Sequence, residues 1–314
     1  MKEYVLYISR LIYITYSYCI YIVSCCCKII YTTLLGSVSS SEKSIPEIFL
    51  YIYIYSKPHY IHHNHTYTQK DIYNKKMPLT LYTNPISQPS RTVWWLMSWK
   101  MPAGSFNVTM TNPGAKKAKA PMVGSRSPTF LENTDGVGTI PALELESGQW
   151  IYESNAIMAY LADKYGWEDL YPKNLEERAK INQYFNWHHG NVRKVTTSRF
   201  APLVRLDLKF NDDLIASDYK MAQRALQNVE ARLGKSKFIC GESLSLADFA
   251  ASGDILQMLD EFCGMADFSN YPNILRWSED MKQLPKFDEM HKALAGFGNK
   301  VFKKNFAKAG RSKL

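Results

Sequence analysis

The chain has 314 residues, of which 46% are hydrophobic and 21% charged, so it can form two domains with buried cores. The net charge is +9, and residues 1–76 contribute +4 of it (eight Lys and Arg against four Asp and Glu), which leaves +5 for the rest. This modest charge, without a basic face interleaved with aromatic residues, excludes a dedicated nucleic-acid binder.

Residues 1–76 differ in composition from everything that follows. They are rich in Tyr, Ile, Ser, His and Cys, contain one glycine, and include an alternating Tyr-Ile run from Tyr51 to Tyr55. A translated TA-dinucleotide repeat would give such a run. Met77 then opens a segment of ordinary globular composition. We therefore expect residues 1–76 to be a disordered leader or a mistranslated extension, with Met77 as the functional start.

Two other interpretations of this leader stay open. Residues 11–27 carry no charge and are long enough for a short membrane anchor or signal peptide, although four tyrosines disfavour insertion. The histidines at positions 59, 62, 63 and 65 can bind metal only weakly, because no framework holds them. No cysteine pair has zinc-finger spacing, and Cys240 and Cys263 are expected to be buried, reduced thiols. The sequence therefore predicts no metal cofactor.

The first element after Met77 is a strand at residues 79–83, because Leu79, Leu81 and Thr83 alternate with other residues. A proline-containing turn leads into a helix that begins near Pro89 and ends near residue 100. Ser87 lies immediately before this helix, where backbone N–H groups are unpaired and the dipole favours negative charge. Its hydroxyl can cap the helix, as most such serines do, or donate to an anion.

The next sequence patterns predict that the domain begins with a βαβ unit and continues with two further strands. A strand at residues 106–110 comes after a helix-length segment, which predicts parallel pairing with the first strand. Residues 111–128 are rich in Pro, Gly, Lys and Ala and predict an exposed, mobile loop. Pro141 begins another strand within residues 138–145, where a cis turn is one solution. A fourth strand is predicted at residues 149–152.

Glu153 and Ser154 then open a helix, and a helix start can receive a carboxylate. After a linker at residues 165–173, the patterns are wholly helical. The spacing of Ser245 and Asp248 predicts a capping box, with Leu244 and Phe249 as its hydrophobic staple.

The order of these elements resembles the N-terminal thioredoxin-like domain of glutathione transferases. The sequence Ser-Gln-Pro-Ser-Arg at residues 87–91 is similar to a theta-class motif, and Trp-His-His-x-x-x-Arg at residues 187–193 resembles the first helix of the theta helical domain. The resemblance covers about residues 79–295. It implies an α/β thioredoxin-like, glutathione-binding domain at residues 77–165. An all-α substrate-binding domain at 174–308 and a tail at 309–314 would follow.

The resemblance also implies roles for individual residues. Ser87 would activate the glutathione thiol, and Gln88 would help to bind glutathione. The backbone of Ile140, with Pro141, would hold the cysteinyl part, and Glu153 and Ser154 the γ-glutamyl end. Arg193 would supply active-site charge. No clear match exists for the residue that binds the glycyl carboxylate, for which Arg126 and Lys119 are alternatives.

The implied activity is conjugation of glutathione, as co-substrate, to hydrophobic electrophiles in detoxification, with reduction of organic hydroperoxides as a further activity. The implied assembly is a homodimer. The alternative function is a non-catalytic protein of the same fold that binds ligands or acts as a scaffold.

The tail carries a targeting pattern. Ser312-Lys313-Leu314 follows four basic residues (Lys303, Lys304, Lys308 and Arg311), and a C-terminal Ser-Lys-Leu is read by the peroxisomal import receptor. This predicts a peroxisomal location, a cytoplasmic one, or both. It also disfavours membrane anchoring by residues 11–27.

Overall fold

The computed structural model describes residues 78–314. The expectations for the leader at residues 1–76, including its apolar segment and its histidines, concern residues outside this range. Among the residues that are described, no helix is both long and apolar enough to cross a membrane.

A five-stranded mixed sheet forms the first part of the described chain. Its strands stand in the order β3-β2-β1-β4-β5, with β1 parallel to β2, β2 parallel to β3, and β4 antiparallel to both β1 and β5. The strands are β1 (Leu79–Thr83), β2 (Phe106–Asn112), β3 (Val123–Gly124), β4 (Ala142–Glu144) and β5 (Trp150–Tyr152). The predicted alternation in β1 is confirmed, because Leu79, Leu81 and Thr83 are buried.

Three helices accompany the sheet: α1 (Gln88–Lys100), α2 (Pro128–Asn133) and α3 (Ser154–Tyr165). Helix α1 connects β1 to the parallel strand β2, which confirms the predicted βαβ start. Its apolar stripe of Val93, Leu96 and Met97 is fully buried. Ser87 directly precedes α1. The position of this helix therefore fixes Ser87 beyond the C-terminal end of the central strand β1.

The prediction of an exposed loop at residues 111–128 was only partly right. The lysines are exposed, but the segment contains β3, and Gly124 and Ser125 are buried. Gly124 permits this packing, because a Cβ there would lie 2.3 Å from the carbonyl oxygen of Ala115. The two ends of the loop are therefore held together, and α2 follows directly.

The second part of the described chain is all helical, which confirms the predicted fold class. Its elements are α4 (Leu175–Gly190), a π-helical turn (Thr196–Phe200), α5 (Ala201–Val204), α6 (Asp212–Leu233), α7 (Leu246–Ile255), a 3-10 helical turn (Leu256–Met258), α8 (Pro272–Lys282), α9 (Phe287–Phe297), a second π-helical turn (Gly298–Phe302) and α10 (Lys303–Lys308). Helix α7 packs against α1, α3 and α4, and every one of its residues is buried. Together with α9, which also packs against α1, it joins the helical part to the sheet part.

The start of α7 is held by the predicted capping box, which the structure confirms. The Asp248 carboxylate accepts hydrogen bonds from the Ser245 N–H (2.9 Å), the Ile239 N–H (2.8 Å) and the Trp277 indole N–H (3.0 Å). Burial nevertheless raises the pKa of Asp248 to about 6. Its role lies in the fold, as the capping pattern predicts.

Candidate active site

Ser87 occupies the N-cap position of α1 without capping it. Its backbone is extended (φ −74°, ψ 119°), and its carbonyl accepts the Arg91 N–H at 2.8 Å, but its hydroxyl makes no capping hydrogen bond. The Ser87 N–H donates to the Asn84 carbonyl at 3.1 Å and closes the turn after β1. With no hydrogen bond of this hydroxyl to any residue within 78–314, the half-buried Ser87 can donate to an anion at the positive end of a helix.

The Tyr82 hydroxyl, by contrast, forms a hydrogen bond within the sheet. The Tyr82 ring stacks on Trp150 with ring centroids 4.2 Å apart, and its hydroxyl donates to Glu144 at 3.0 Å. Burial, together with the Glu144 charge, raises the pKa of Tyr82. The Tyr82 hydroxyl thus has a structural partner, whereas the Ser87 hydroxyl has none in the part of the chain that the structure describes.

Ile140 and Pro141 lie between α2 and β4, and the peptide bond between them is cis. The pairing of β1 with β4 ends at Tyr82 opposite Ala142, so Ile140 lies beyond the ladder. Among the described residues, the Ile140 N–H and C=O have no backbone partner, while the Ile140 side chain is buried beside Phe130. A short peptide can therefore pair with the backbone at this position.

Glu153 introduces α3 with an unusual backbone. Its φ is +71°, in the left-handed region, which costs of the order of 1–3 kcal/mol for a residue other than glycine. Glu153 is exposed and Ser154, the first residue of α3, is half-buried. Such strain is found at ligand-binding turns, and here it sets the start of a second helix beside the first.

A small cleft separates these helix starts from the helical part. Its lining includes Pro89 and Thr92 from α1, Ser154 and Asn155 from α3, and Arg193 and Asp254 from the helical part. Two predicted site residues, Ser154 and Arg193, therefore meet in one cleft. Ser87, Gln88, Ile140, Pro141 and Glu153 do not line it.

Within residues 78–314, no cluster of three or more His, Cys, Asp or Glu residues could hold a metal.

Gln88 is buried, and its side chain is turned into the helical part. The amide nitrogen donates to Asp254 Oδ1 at 3.2 Å and contacts the Thr196 hydroxyl. The residue that follows Ser87 thus anchors the first turn of α1 to α7.

Asp254 is the residue of this region that the sequence did not single out. Its Oδ1 also accepts the Thr196 hydroxyl at 2.7 Å, while Oδ2 lies 3.0 Å from His188 Nε2 and 3.5 Å from Arg193 Nη1. Burial alone would raise the pKa of Asp254, but Arg193 and the hydrogen bonds from His188 and Thr196 outweigh it and hold the pKa at about 2. The sign that could have drawn attention to Asp254 was its position in α7, because a charged residue is seldom fully buried without a partner.

His188 is part of this network, and the adjacent His189 is exposed. Burial lowers the pKa of His188, so the ring is neutral near pH 7 and donates its Nε2–H to Asp254. The other ring nitrogen lies 3.4 Å from the Tyr184 hydroxyl. The prediction that these histidines are packing or surface residues is confirmed.

Arg91 and Gly253 bring α1 and α7 close together. The buried Arg91 guanidinium donates to the Pro85 carbonyl at 3.1 Å and to the Gly253 carbonyl at 3.0 Å. A Cβ on Gly253 would lie 2.6 Å from the Thr92 hydroxyl oxygen, so a larger residue would push the helices apart. The turn that carries Ser87 is therefore fixed from both sides.

Two family models match this chain. The glutathione S-transferase N-terminal domain matches residues 81–172 and the glutathione S-transferase C-terminal domain matches residues 212–285, together more than half of the chain. The chain therefore belongs to the glutathione S-transferase family, and the predicted resemblance is confirmed.

Its similarity to named relatives points to the theta class. Over 232 residues it is 28% identical to glutathione S-transferase T1 of Arabidopsis thaliana, covering 69% of this chain and 89% of that protein. It is 27% identical over 221 residues to glutathione S-transferase theta-1 of Gallus gallus, covering 66% of this chain and 84% of that protein. The solved structure of glutathione S-transferase unclassified 2 from Bombyx mori aligns with a TM-score of 0.59 at 27% identity, over 73% of this chain and 99% of that one.

Proposed function

We propose that this protein conjugates glutathione to hydrophobic electrophiles and reduces organic hydroperoxides, with Ser87 as the residue that activates the thiol. The observation that carries the proposal is the Ser87 hydroxyl, which makes no capping hydrogen bond although it lies at the N-terminus of α1. A thiol with a pKa near 8.5 is mostly protonated at neutral pH. A hydroxyl donor and the positive end of a helix both favour the thiolate.

The reaction uses Ser87 as a hydrogen-bond donor, and no covalent intermediate forms on it. The glutathione thiolate attacks an electrophilic carbon and displaces the leaving group or opens the ring. With a hydroperoxide the thiolate attacks the terminal oxygen, the O–O bond breaks, the alkoxide takes up a proton and leaves as the alcohol, and the sulfur keeps one oxygen as a sulfenic acid. The thiol of a second glutathione then displaces water from this sulfenic acid to form the disulfide. In both cases Ser87 stabilises the sulfur anion before the attack.

The rest of glutathione is assigned to the groups around this turn. The Ile140 backbone, which has no backbone partner within residues 78–314, lies next to Pro141 and pairs with the cysteinyl part. Glu153 and Ser154 at the start of α3 hold the γ-glutamyl end, and Arg193 across the cleft adds positive charge. Gln88 contributes to the site by anchoring the first turn of α1, since its amide nitrogen donates a hydrogen bond to Asp254.

Arg126 is the better candidate for the glycyl carboxylate. Its Cδ lies 3.2 Å from the position that a Cβ on Gly138 would take, and Gly138 is two residues before Ile140. The exposed Arg126 side chain thus runs beside the backbone that is assigned to the cysteinyl part. No contact of this kind supports Lys119.

The test is activity of the full chain, and of a chain beginning at Met77, with glutathione and either an aryl halide, an epoxide or cumene hydroperoxide. We expect turnover of at least one electrophile and of the hydroperoxide. Conjugation without peroxide turnover would remove the second activity. Tight binding of hydrophobic dyes without any turnover would instead support the ligand carrier.

Comparable activity of the two chains would support Met77 as the functional start. We also propose a homodimer, which sedimentation would test.

We propose a peroxisomal location, alone or beside a cytoplasmic one, through Ser312-Lys313-Leu314. In the folded chain this segment is docked: the Leu314 N–H donates to the Met265 carbonyl at 2.8 Å, and a Leu314 oxygen accepts the Asp267 N–H at 2.8 Å. The Leu314 side chain is buried, and the Tyr219 hydroxyl donates to the Lys313 carbonyl at 3.0 Å. A receptor that reads these residues therefore competes with the docking site.

Deleting Leu314 from an N-terminally tagged chain should move it from peroxisomes to the cytoplasm. Tyr219→Phe removes one hydrogen bond from the docked segment and should leave the peroxisomal fraction unchanged or raise it. Microscopy and organelle fractionation measure both. An unchanged distribution after the Leu314 deletion would refute the import signal.

A further inference from the structure

The Asp254 carboxylate joins three elements that meet at the cleft. Its Oδ1 binds Gln88 from α1 and Thr196 from the π-helical turn, and its Oδ2 binds His188 and Arg193 around the end of α4. All four contacts lie within 3.5 Å, and the carboxylate is 1% exposed. Movement of any one partner therefore changes the surroundings of the others.

The charges in this network are balanced between Asp254 and Arg193. His188 is neutral, so the buried carboxylate has Arg193 as its cationic partner in this cluster. The Arg193 side chain remains 20% exposed and lines the cleft. An arginine has five N–H donors, so contact with one carboxylate oxygen leaves others for an anionic ligand.

Gln88 links Asp254 to α1, which lines the other side of the cleft. It directly follows Ser87, and its amide nitrogen is fixed on Asp254 Oδ1 at 3.2 Å. Loss of this contact would remove one of the anchors of the first turn of α1 and leave the contacts of Arg91 with Pro85 and Gly253. A hydrogen-bond donor that shifts by about 1 Å from its anion can lose roughly 100-fold in rate.

We infer that Asp254 is a positioning residue of the glutathione site, which holds the Ser87 turn and the Arg193 guanidinium at a fixed separation across the cleft. The inference rests on the proposed function. Asp254 acts through Gln88 and Arg193 and touches no reacting atom.

Asp248 provides a matched control on the same helix. It is also a fully buried aspartate of α7, but its partners are Ser245, Ile239 and Trp277, which belong to the fold. Asp248→Asn and Asp254→Asn thus remove the same charge from the same helix, and only the second faces the cleft.

The experiment compares Asp254→Asn, Asp248→Asn and Arg193→Gln in the full chain. The measurements are thermal unfolding, KM for glutathione, and the pKa of the bound glutathione thiol from the ultraviolet absorbance of the thiolate. We expect Asp254→Asn to raise KM about tenfold or more and to raise the bound-thiol pKa. Asp248→Asn should lower stability and leave both site measurements unchanged. Asp254→Glu, which keeps the charge, should recover part of the loss.

Double variants test the route of action. If Asp254 acts through Arg193, the combined Asp254→Asn and Arg193→Gln variant will lose less than the product of the single losses. Multiplicative losses, or a folded Asp254→Asn variant with unchanged KM and thiol pKa, would overturn the inference. If Asp254→Asn does not fold, the Arg193→Gln and Thr196→Val pair replaces it, because these residues bind different oxygens of Asp254. If the losses caused by Arg193→Gln and Thr196→Val simply multiply in the double variant, the positioning role of Asp254 is refuted.

The unmutated chain separates this inference from the proposed function. Absence of glutathione binding by the unmutated chain would refute the proposed function itself. Binding by that chain, with no response to the Asp254 variants, would refute only the positioning role.

Discussion

Ser87→Ala is expected to lower kcat/KM for glutathione conjugation by roughly 100- to 1,000-fold, which is the usual loss when one donor to a developing or bound anion is removed. The free glutathione thiol is mostly protonated at neutral pH, and the variant would leave it closer to that state. The loss should therefore shrink as the pH rises toward the ordinary thiol pKa. The pH dependence of kcat/KM measures this shift.

Stability should change little in the same variant. Replacing a serine that caps a helix costs about 0.5–2 kcal/mol, because the capping hydrogen bond is lost. The Ser87 hydroxyl makes no such bond, so the variant removes the donor proposed for the thiol and leaves the start of α1 intact. A large loss of activity at unchanged melting temperature separates the two roles.

Ser90→Ala is the control in the same motif. Ser90 lies three residues after Ser87, is fully buried, and its hydroxyl has no hydrogen-bond partner among the described residues. Its removal should leave kcat/KM within a few-fold of the unmutated enzyme. Wild-type activity and an unshifted pH profile in Ser87→Ala would show that another group stabilises the thiolate.

Much of the fold could be predicted because its elements are long or strongly patterned. The alternation in β1, the stripe of α1 and the capping box of α7 each depend on residues within one short window. Strand β3 and helix α2 escaped prediction because they have two and six residues, too few for a period to show. The lysines and prolines around β3 also hid a close packing that depends on Gly124.

Candidate site residues could be singled out from the sequence where a helix begins. Ser87 directly before α1, and Glu153 and Ser154 at the start of α3, are positions of this kind, since helix starts have free N–H groups. The direction of the Gln88 side chain and the network around Asp254 were not predictable. They depend on contacts between residues as far apart as 88 and 254, which only the packing of α7 against α1 creates.

Replacing Asp248 is expected to have the largest effect on stability. The carboxylate satisfies two backbone N–H groups and the indole N–H of Trp277, all around the start of α7. A buried donor that loses its acceptor costs about 1–3 kcal/mol. Asp248→Ala should therefore lower the free energy of unfolding by about 3–5 kcal/mol, and Asp248→Asn by less, because one amide oxygen still accepts.

The pH dependence of stability distinguishes this mechanism from a simple packing defect. The folded-state pKa of Asp248 is raised to about 6 from an ordinary value of 3.8, so its contribution to stability is fully present below the ordinary value and is lost as the pH rises through 6. Urea unfolding should show that the unmutated protein loses about 1 kcal/mol from this group between about pH 5 and about pH 7. Asp248→Asn cannot ionise, so the stability gap between the two proteins should narrow by that amount as the pH rises. Parallel profiles for the two proteins would mean that the carboxyl does not titrate in this range, and that the loss in the variant comes from its hydrogen bonds alone.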